Sequence, residues 1–211
     1  AADIMIGFMA KIKQRLGIEF DELNLGGGFG IKYVASHDPI EYDRYLEKIS
    51  VRVKQACEKY GINLPFIYIE PGRSIVGPAG ITLYEVGSVK EIPGVRTYVG
   101  VDGGMNDNPR YALYQAPYEV LIANKAGEKR VKTVTVAGKC CESGDLIQEN
   151  VAIQEPETGD LMAVLATGAY NYSMASNYNR NPRPAVVMVK EGKPRIIVRP
   201  ESYEDLIRND V

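Results

Sequence analysis

The sequence predicts an α/β segment with parallel strands over residues 1–78, followed by an antiparallel β-sandwich or barrel over residues 79–211. Two observations carry this prediction. Helix, strand, helix and strand alternate with short links in the first part, the signature of a parallel β/α arrangement. Beyond Pro78 the helical period disappears, and short β-rich runs alternate with Gly, Pro and Asn.

The elements follow in order. Ile4, Phe8, Ile12 and Leu16, supported by Met5 and Met9, recur at helical spacing and stop at Gly17, a good left-handed terminator. Glu22-Leu23-Asn24-Leu25 reads as a short buried strand running into Gly26-Gly27-Gly28-Phe29-Gly30. Asp38-Pro39-Ile40-Glu41 combines a cap, a proline at the first helical position and an acid at the third. Leu46, Ile49, Val53, Cys57 and Tyr60 then continue a second helix to Gly61. A second strand, Phe66-Ile67-Tyr68-Ile69, ends in Glu70-Pro71-Gly72-Arg73. In the second part the β-rich runs are 81–89, 96–101, 118–123, 131–136, 161–165, 185–189 and 195–198. Lys125-Ala126-Gly127-Glu128 and Glu157-Thr158-Gly159-Asp160 read as hairpin tips. A last helix is capped at Ser202, with Asp205 three residues on.

Two β/α units cannot bury their own parallel strands, because each strand needs neighbours on both sides and helices over both faces. The chain also opens at Ala1-Ala2-Asp3 already inside a helical pattern, so the expectation is a piece of something longer. If these are the last two units of a β/α barrel, their strand ends lie at the face where loops commonly hold a phosphate.

Composition excludes several classes. Lys and Arg number 25 against 27 Asp and Glu, for a net charge of −2, with both signs interspersed. That balance offers no basic stripe for nucleic acid and no cationic amphipathic helix for a membrane surface. No apolar run approaches the ~18 residues that span a bilayer, and no leader pattern precedes the first helix, so a cytoplasmic location is expected. A single histidine, His37, excludes the usual multi-histidine metal sites, and no metal is expected. His37 lies in a loop ahead of a helix, is expected to be exposed, and receives no catalytic role. Three cysteines, two of them adjacent, do not form a secreted disulfide framework and fit a reducing compartment. Tyr reaches 14 against 4 Phe, which suits wet pockets and interfaces.

Four clusters carry chemistry. Gly26-Gly27-Gly28-Phe29-Gly30 follows a strand, so its backbone N–H groups can form a concave nest for an anion; alone it reads equally as a tight turn. Glu70-Pro71-Gly72-Arg73 puts a carboxylate and a guanidinium at the next strand end, and together the two loops favour a phosphorylated ligand. Cys140-Cys141-Glu142-Ser143-Gly144-Asp145 offers a thiol as proton donor or nucleophile in a polar setting, and adjacent cysteines in a strand would face opposite ways. Asn106-Asp107-Asn108-Pro109-Arg110 with Tyr114, and Gly168-Ala169-Tyr170-Asn171-Tyr172, are polar clusters in otherwise regular β patterning. An arginine fork plus a phenol suits a carboxylate, and the plainer alternative is a solvated turn.

Leu25 to Gly30, Glu70 to Arg73, Cys141-Glu142-Ser143-Gly144-Asp145 and Gly168-Ala169-Tyr170 occur in the order and approximate spacing of the fold type III pyridoxal-phosphate decarboxylases. The chain resembles their second half over essentially its whole length. The resemblance implies that residues 1–78 are the last units of a TIM-type (β/α)8 barrel and that residues 79–211 make substrate and dimer contacts. It implies pyridoxal 5'-phosphate as cofactor, with Gly27 and Gly28 at the phosphate, Pro71 and Gly72 in the same cradle, and Glu70 at the pyridine nitrogen. Arg73 would lie at the phosphate and the substrate's far end, and Tyr170 would touch both cofactor and substrate. Arg110 and Tyr114 would hold a distal carboxylate and Glu142 a distal ammonium. Cys141 would reprotonate the carbon that loses CO2, delivered from the partner subunit of a homodimer.

Within that family, glutamate directly after the cysteine favours the branch that converts meso-diaminopimelate to lysine and CO2. The ornithine, arginine and carboxynorspermidine branch is the enzymatic alternative. The family's Schiff-base lysine and the histidine that stacks on the cofactor belong upstream of Ala1, and Lys11, Lys13 and Lys32 do not match the lysine motif. This chain alone is therefore expected to be inactive, and a non-catalytic dimerising module is the reading from a different class.

Overall fold

The structure is a computed structural model that describes residues 1–211. The chain divides into two compact units: Ala1–Lys32 with Ser36–Val76, and Tyr33–Ala35 with Gly77–Val211.

In the first unit, α1 spans Ala2–Leu16 and ends at Gly17, whose φ of 70° lets its N–H reach the Lys13 carbonyl. Its buried residues are Ile6, Gly7 and Met9, whereas Ile4, Phe8 and Leu16 of the predicted apolar stripe are exposed. The helix is apolar on both sides. The inward side is the one that admits an aromatic ring, since a Cβ on Gly7 would stand 3.2 Å from the Tyr60 ring. Helix α2 spans Tyr42–Tyr60 and ends at Gly61 with φ 63°. It starts four residues after the predicted cap: Glu41 is extended at ψ 146° and makes no side-chain cap. Phe29 fixes the true first turn, with ring centroids 5.1 Å from Tyr42 and 4.7 Å from Tyr45. Strands β1 (Glu22–Asn24) and β2 (Phe66–Tyr68) pair in parallel, Leu23 opposite Ile67. Ile6, Met9, Leu23, Val53, Ala56 and Cys57 make the core. A short helix α3, Gly72–Val76, follows the Glu-Pro pair.

The second unit is built on one six-stranded sheet from β3 (Thr82–Ile92), β4 (Arg96–Val101), β5 (Val120–Ile122), β6 (Lys132–Ala137), β7 (Leu146–Ile153) and β8 (Leu161–Val164), in the order β5-β8-β3-β4-β6-β7. Strand β3 pairs with β8 through Thr82–Glu85 and with β4 from Val86 to Ile92, with a register shift at Gly87. Gly at such a kink lets one long strand serve two directions, which curls the sheet. The edges β5 and β7 are then joined by side chains: Gln148 Oε1 accepts the Tyr118 N–H at 2.7 Å and Gln154 Oε1 accepts the Ile122 N–H at 2.9 Å. The result is a nearly closed barrel around Val86, Val99, Val120, Val134, Val136, Ile147, Ile153 and Met162. Each such side chain contributes roughly 1.5–3 kcal/mol relative to exposure.

Two expectations are corrected and one strand is added. The sheet is mixed, not antiparallel, because β4 and β6 run parallel. Strand β7 escapes the sequence pattern because Gln148-Glu149-Asn150 interrupts its apolar alternation and Asn150 sits at φ 51° beside a register shift. The two polar tips do not close hairpins, since β5 does not pair with β6 nor β7 with β8. They bind each other instead, with Lys125 Nζ 2.9 Å from Asp160 and 3.0 Å from Glu157.

Helix α4 (Arg110–Tyr114) and helix α5 (Asn171–Met174) lie in loops of this unit. An exposed hairpin, β9 (Val186–Lys190) with β10 (Lys193–Val198), forms a separate sheet. The last helix, α6 (Tyr203–Ile207), has the expected capping box between Ser202 and Asp205. No helix is long and apolar enough to cross a membrane.

Candidate active site

In the first unit the two strand ends are stitched together. Leu25 N–H donates to the Tyr68 carbonyl at 2.9 Å and Glu70 N–H to the Gly26 carbonyl at 2.7 Å. Asn24 orders both loops: its Oδ1 accepts the Gly26 N–H at 2.8 Å and its Nδ2 donates to Glu70 Oε1 at 2.6 Å. Gly26 and Gly28 have φ of 72° and 89°. Gly27 is required for a different reason, because a Cβ there would lie 2.4 Å from the Glu70 carbonyl oxygen. The glycine loop is thus backbone pressed against the Glu-Pro-Gly-Arg loop, with Gly27 and Gly28 open to solvent. Pro71 accepts the Ser74 Oγ–H at 2.8 Å, and Ser74 also meets the Tyr42 hydroxyl. Gly72 opens α3 and Arg73 follows it, half-buried. Sequence reasoning missed Asn24, although an Asn two residues before a glycine is a recognisable side-chain turn.

In the second unit Asn106, Asp107, Asn108 and Arg110 are buried, so this cluster is not a solvated turn. Arg110 opens α4 at 7% exposure, and its Nε hydrogen bonds to nothing in the chain. Its Cζ lies 5.5 Å from the Tyr114 ring, 5.9 Å from Tyr170 and 6.0 Å from Tyr33, within cation–π reach of all three. Tyr114 and Tyr170 present exposed phenols, and Tyr170 is held at φ 72°. Nothing in the sequence drew attention to Tyr33. Burial pushes the Tyr118 phenol up against the opposing pull of Arg110's charge. Gly80 allows the Gly168 loop to close in, since a Cβ there would meet Gly168 Cα at 2.3 Å.

The cysteine pair lies in a bend after β6, not in a strand, yet the two thiols still differ in setting. Cys140 is buried, with Sγ 3.4 Å from Asn106 Oδ1; burial and then the Asp145 charge push its thiol up. Cys141 is exposed, and Glu142 beside it is exposed too. Glu142 Oε1 accepts the Gly144 N–H at 3.3 Å. Asp145 is buried and accepts the N–H groups of Cys140 at 2.7 Å and Met105 at 2.6 Å. Gly104 and Gly138 make room for it, since a Cβ on either would fall 2.5 Å or 2.2 Å from its carboxylate. Next to it, burial raises the Asp107 carboxyl to about 6, against hydrogen bonds from the Tyr84 hydroxyl and the Gly104 N–H. His37 is half-buried, not exposed, in the loop before α2. No group of three or more His, Cys, Asp or Glu could hold a metal.

Comparison with known proteins is consistent throughout. The chain is 58% identical over 189 residues to the diaminopimelate decarboxylase of Bacillus subtilis and 52% identical over 187 residues to that of Bacillus methanolicus. It covers 90% and 89% of itself in these matches, but spans only 43% of either protein's length. A crystal structure of diaminopimelate decarboxylase from M. jannaschii with L-lysine superposes with a TM-score of 0.87 at 33% identity, covering 100% of this chain and 47% of that one. The Helicobacter pylori enzyme with L-lysine gives 0.83 at 31% identity, covering 98% of this chain and 48% of that one. The family model for the C-terminal sheet domain of pyridoxal-dependent decarboxylases matches residues 32–168, more than half of the chain, and the chain belongs to that family.

Proposed function

We propose that this chain is the C-terminal part of a decarboxylase that converts meso-diaminopimelate to L-lysine and CO2 with pyridoxal 5'-phosphate. The observation that carries the reading is Arg110: a buried guanidinium with an unbonded Nε, enclosed by three tyrosines. A fixed, desolvated fork of this kind suits a carboxylate at the far end of a substrate, and an ornithine-like substrate has none there. Two relatives in this family were crystallised with L-lysine, the expected product.

The residues present fit the cofactor. Open glycine N–H groups at Gly27 and Gly28 suit its phosphate, and the Asn24-held Glu70 carboxylate suits a protonated ring nitrogen. When bound, the cofactor supplies an electron sink for the pair left by departing CO2. Glu70 holds the proton at the ring nitrogen; Pro71 and Gly72 fix the backbone beside it, and Arg73 adds positive charge for the phosphate. Arg110 and Tyr114 orient the distal carboxylate, Glu142 takes the distal ammonium, and Tyr170 lies along cofactor and substrate. Cys141, the exposed thiol, donates a proton to the substrate's α-carbon, and does so toward the partner of a homodimer. Buried Cys140 has a structural role.

The first unit is read as the closing β/α units of a (β/α)8 barrel. Its two three-residue parallel strands, with β2 exposed along its length, are what such a pair looks like without neighbours. The preceding part of the polypeptide then supplies the lysine that joins the cofactor and the histidine that stacks on it, and this chain alone is inactive. Three free thiols fit a cytoplasmic location.

The test is steady-state turnover by the polypeptide that includes the preceding half, loaded with cofactor. Meso-diaminopimelate should be decarboxylated and ornithine should not; the reverse preference sinks the reading. Cys141→Ala should lower kcat by about 100-fold or more, while Cys140→Ala stays within a few-fold. Arg110→Leu should raise KM for diaminopimelate by about 100-fold, the cost of a lost charged hydrogen-bonding partner.

A further inference from the structure

Cys141 lies in a bend and Glu142 follows it, both exposed, yet their proposed roles require fixed geometry. The segment Tyr178–Asn181 meets this loop at three points. Asn179 Oδ1 accepts the Cys141 N–H at 2.7 Å, Tyr178 Oη donates to Glu142 Oε2 at 3.3 Å, and Asn181 Nδ2 reaches Cys140 Sγ at 3.7 Å. Between these contacts the backbone lies in the left-handed region at two successive non-glycine residues, Asn179 at φ 53° and Arg180 at φ 56°. Such a pair is unfavourable unless its surroundings over-determine it.

The surroundings do so from both ends. Arg180 grips Asp210 with two bonds of 2.7 and 3.3 Å. Arg183 grips Glu201 through Nε at 2.9 Å and Nη2 at 2.5 Å, and Asn177 Nδ2 donates to the same carboxylate at 2.6 Å. Those bonds hold the Glu201 carboxyl down at about 2, so it stays ionised as an anchor at any working pH. The C-terminal residues thus hold a strained strap that bonds to Cys140, Cys141 and Glu142.

We propose that Asn179 is a positioning residue: its side-chain carbonyl fixes the Cys141 backbone, and the strap 177–183, anchored at Glu201 and Asp210, aligns the Cys141-Glu142 loop for proton delivery. The proposal rests on the reading of Cys141 as proton donor.

The experiment uses the full polypeptide with its preceding half and three forms at one position: unsubstituted, Asn179→Gly and Asn179→Asp. Glycine accepts φ 53° without strain but has no acceptor, so it keeps the strap and removes the bond. Aspartate keeps the acceptor. Two readouts are taken: amide hydrogen exchange at Cys141 in the cofactor-free protein, and kcat and KM on meso-diaminopimelate in the loaded one. In Asn179→Gly, Cys141 exchange should rise and kcat should fall, each by about tenfold, with KM within about twofold. Asn179→Asp should keep Cys141 protected and retain most of kcat. A purely structural role predicts the opposite for glycine, which relieves strain and leaves turnover intact. Unchanged kcat in Asn179→Gly overturns the proposal, whether or not exchange rises, and so does unchanged exchange. Failure of the underlying reading shows separately, as undiminished kcat in Cys141→Ala of the same polypeptide.

Discussion

The two units hold their function-bearing loops in different ways. Residues 77–211 nearly close a barrel: Val99, Val120, Val136, Ile147, Ile153 and Met162 are fully buried, and the loops carrying Arg110 and Cys141 are tied down by the hydrogen bonds of buried Asp107 and Asp145. Residues 1–76 hang the glycine loop and the Glu-Pro-Gly-Arg loop on two three-residue strands, and Phe66, Ile67 and Tyr68 of β2 are all exposed. An antiparallel or mixed sheet that curls can satisfy its own edges, whereas a parallel pair needs strands and helices on every side. The same chain therefore contains one six-stranded sheet that nearly closes on its own edges and one strand pair that is not covered from within.

Chemical denaturation of the chain should expose that contrast most strongly at Ile147. Ile147→Ala removes a fully buried side chain from the barrel core and should cost about 2–5 kcal/mol. A loss below about 1 kcal/mol would mean that the barrel does not carry the stability assigned to it.

A second test uses acid. The Asp107 carboxyl is raised from its ordinary 3.8 to about 6, so its contribution, at most about 3 kcal/mol, is fully present below about pH 4 and is lost as pH rises through about 6. Glu201 works in the other direction: its carboxyl is lowered from 4.5 to about 2, so its contribution is present above about 4.5 and is lost as pH falls through about 2. The window between about pH 4.5 and 6.5 thus isolates Asp107. Stability of the second unit should fall across it, and Asp107→Asn should flatten the slope; a slope that survives the substitution assigns the titration elsewhere.

Barrel closure is tested at Gln154. Gln154→Leu leaves the buried Ile122 N–H without its acceptor and should cost about 1–3 kcal/mol. It should also speed exchange of the Ile122 amide ahead of those in β3 and β4; equal protection would remove the closure role. The smallest effect is expected in the other unit, where Phe66→Ala, at an exposed position, should change stability by no more than about 0.5 kcal/mol. A large loss there would erase the contrast between the units.

Legibility in the sequence follows the same division. Gly17, Gly61 and the Ser202–Asp205 box end or start helices where the sequence places them, because those signals are local backbone chemistry. Strand runs at Arg96–Val101 and Leu161–Val164 were legible from apolar composition. Strand β7 was not, because its alternation is broken at Asn150, and neither was the parallel pairing of β4 with β6, which depends on partners distant in sequence. Among the candidate residues, Gly27 and Glu70 of the first unit and Arg110, Tyr114, Cys141, Glu142 and Tyr170 of the second could be singled out by residue type and motif. Asn24, Tyr33, Asn179 and the anchors Glu201 and Asp210 could not, because each matters only through what it touches.

The sequence by itself determined the elements, the polar loops between them and the family to which those loops belong, since turn chemistry and motif order are local properties. Only the tertiary structure decided which of two adjacent cysteines is buried and which side of α1 faces inward. It also decided that Lys125 and Asp160 join two loops and that a strained strap from the C-terminal region holds the Cys141 backbone. Those outcomes depend on burial and on bonds between residues far apart in the chain, and neither is encoded in any single stretch of it.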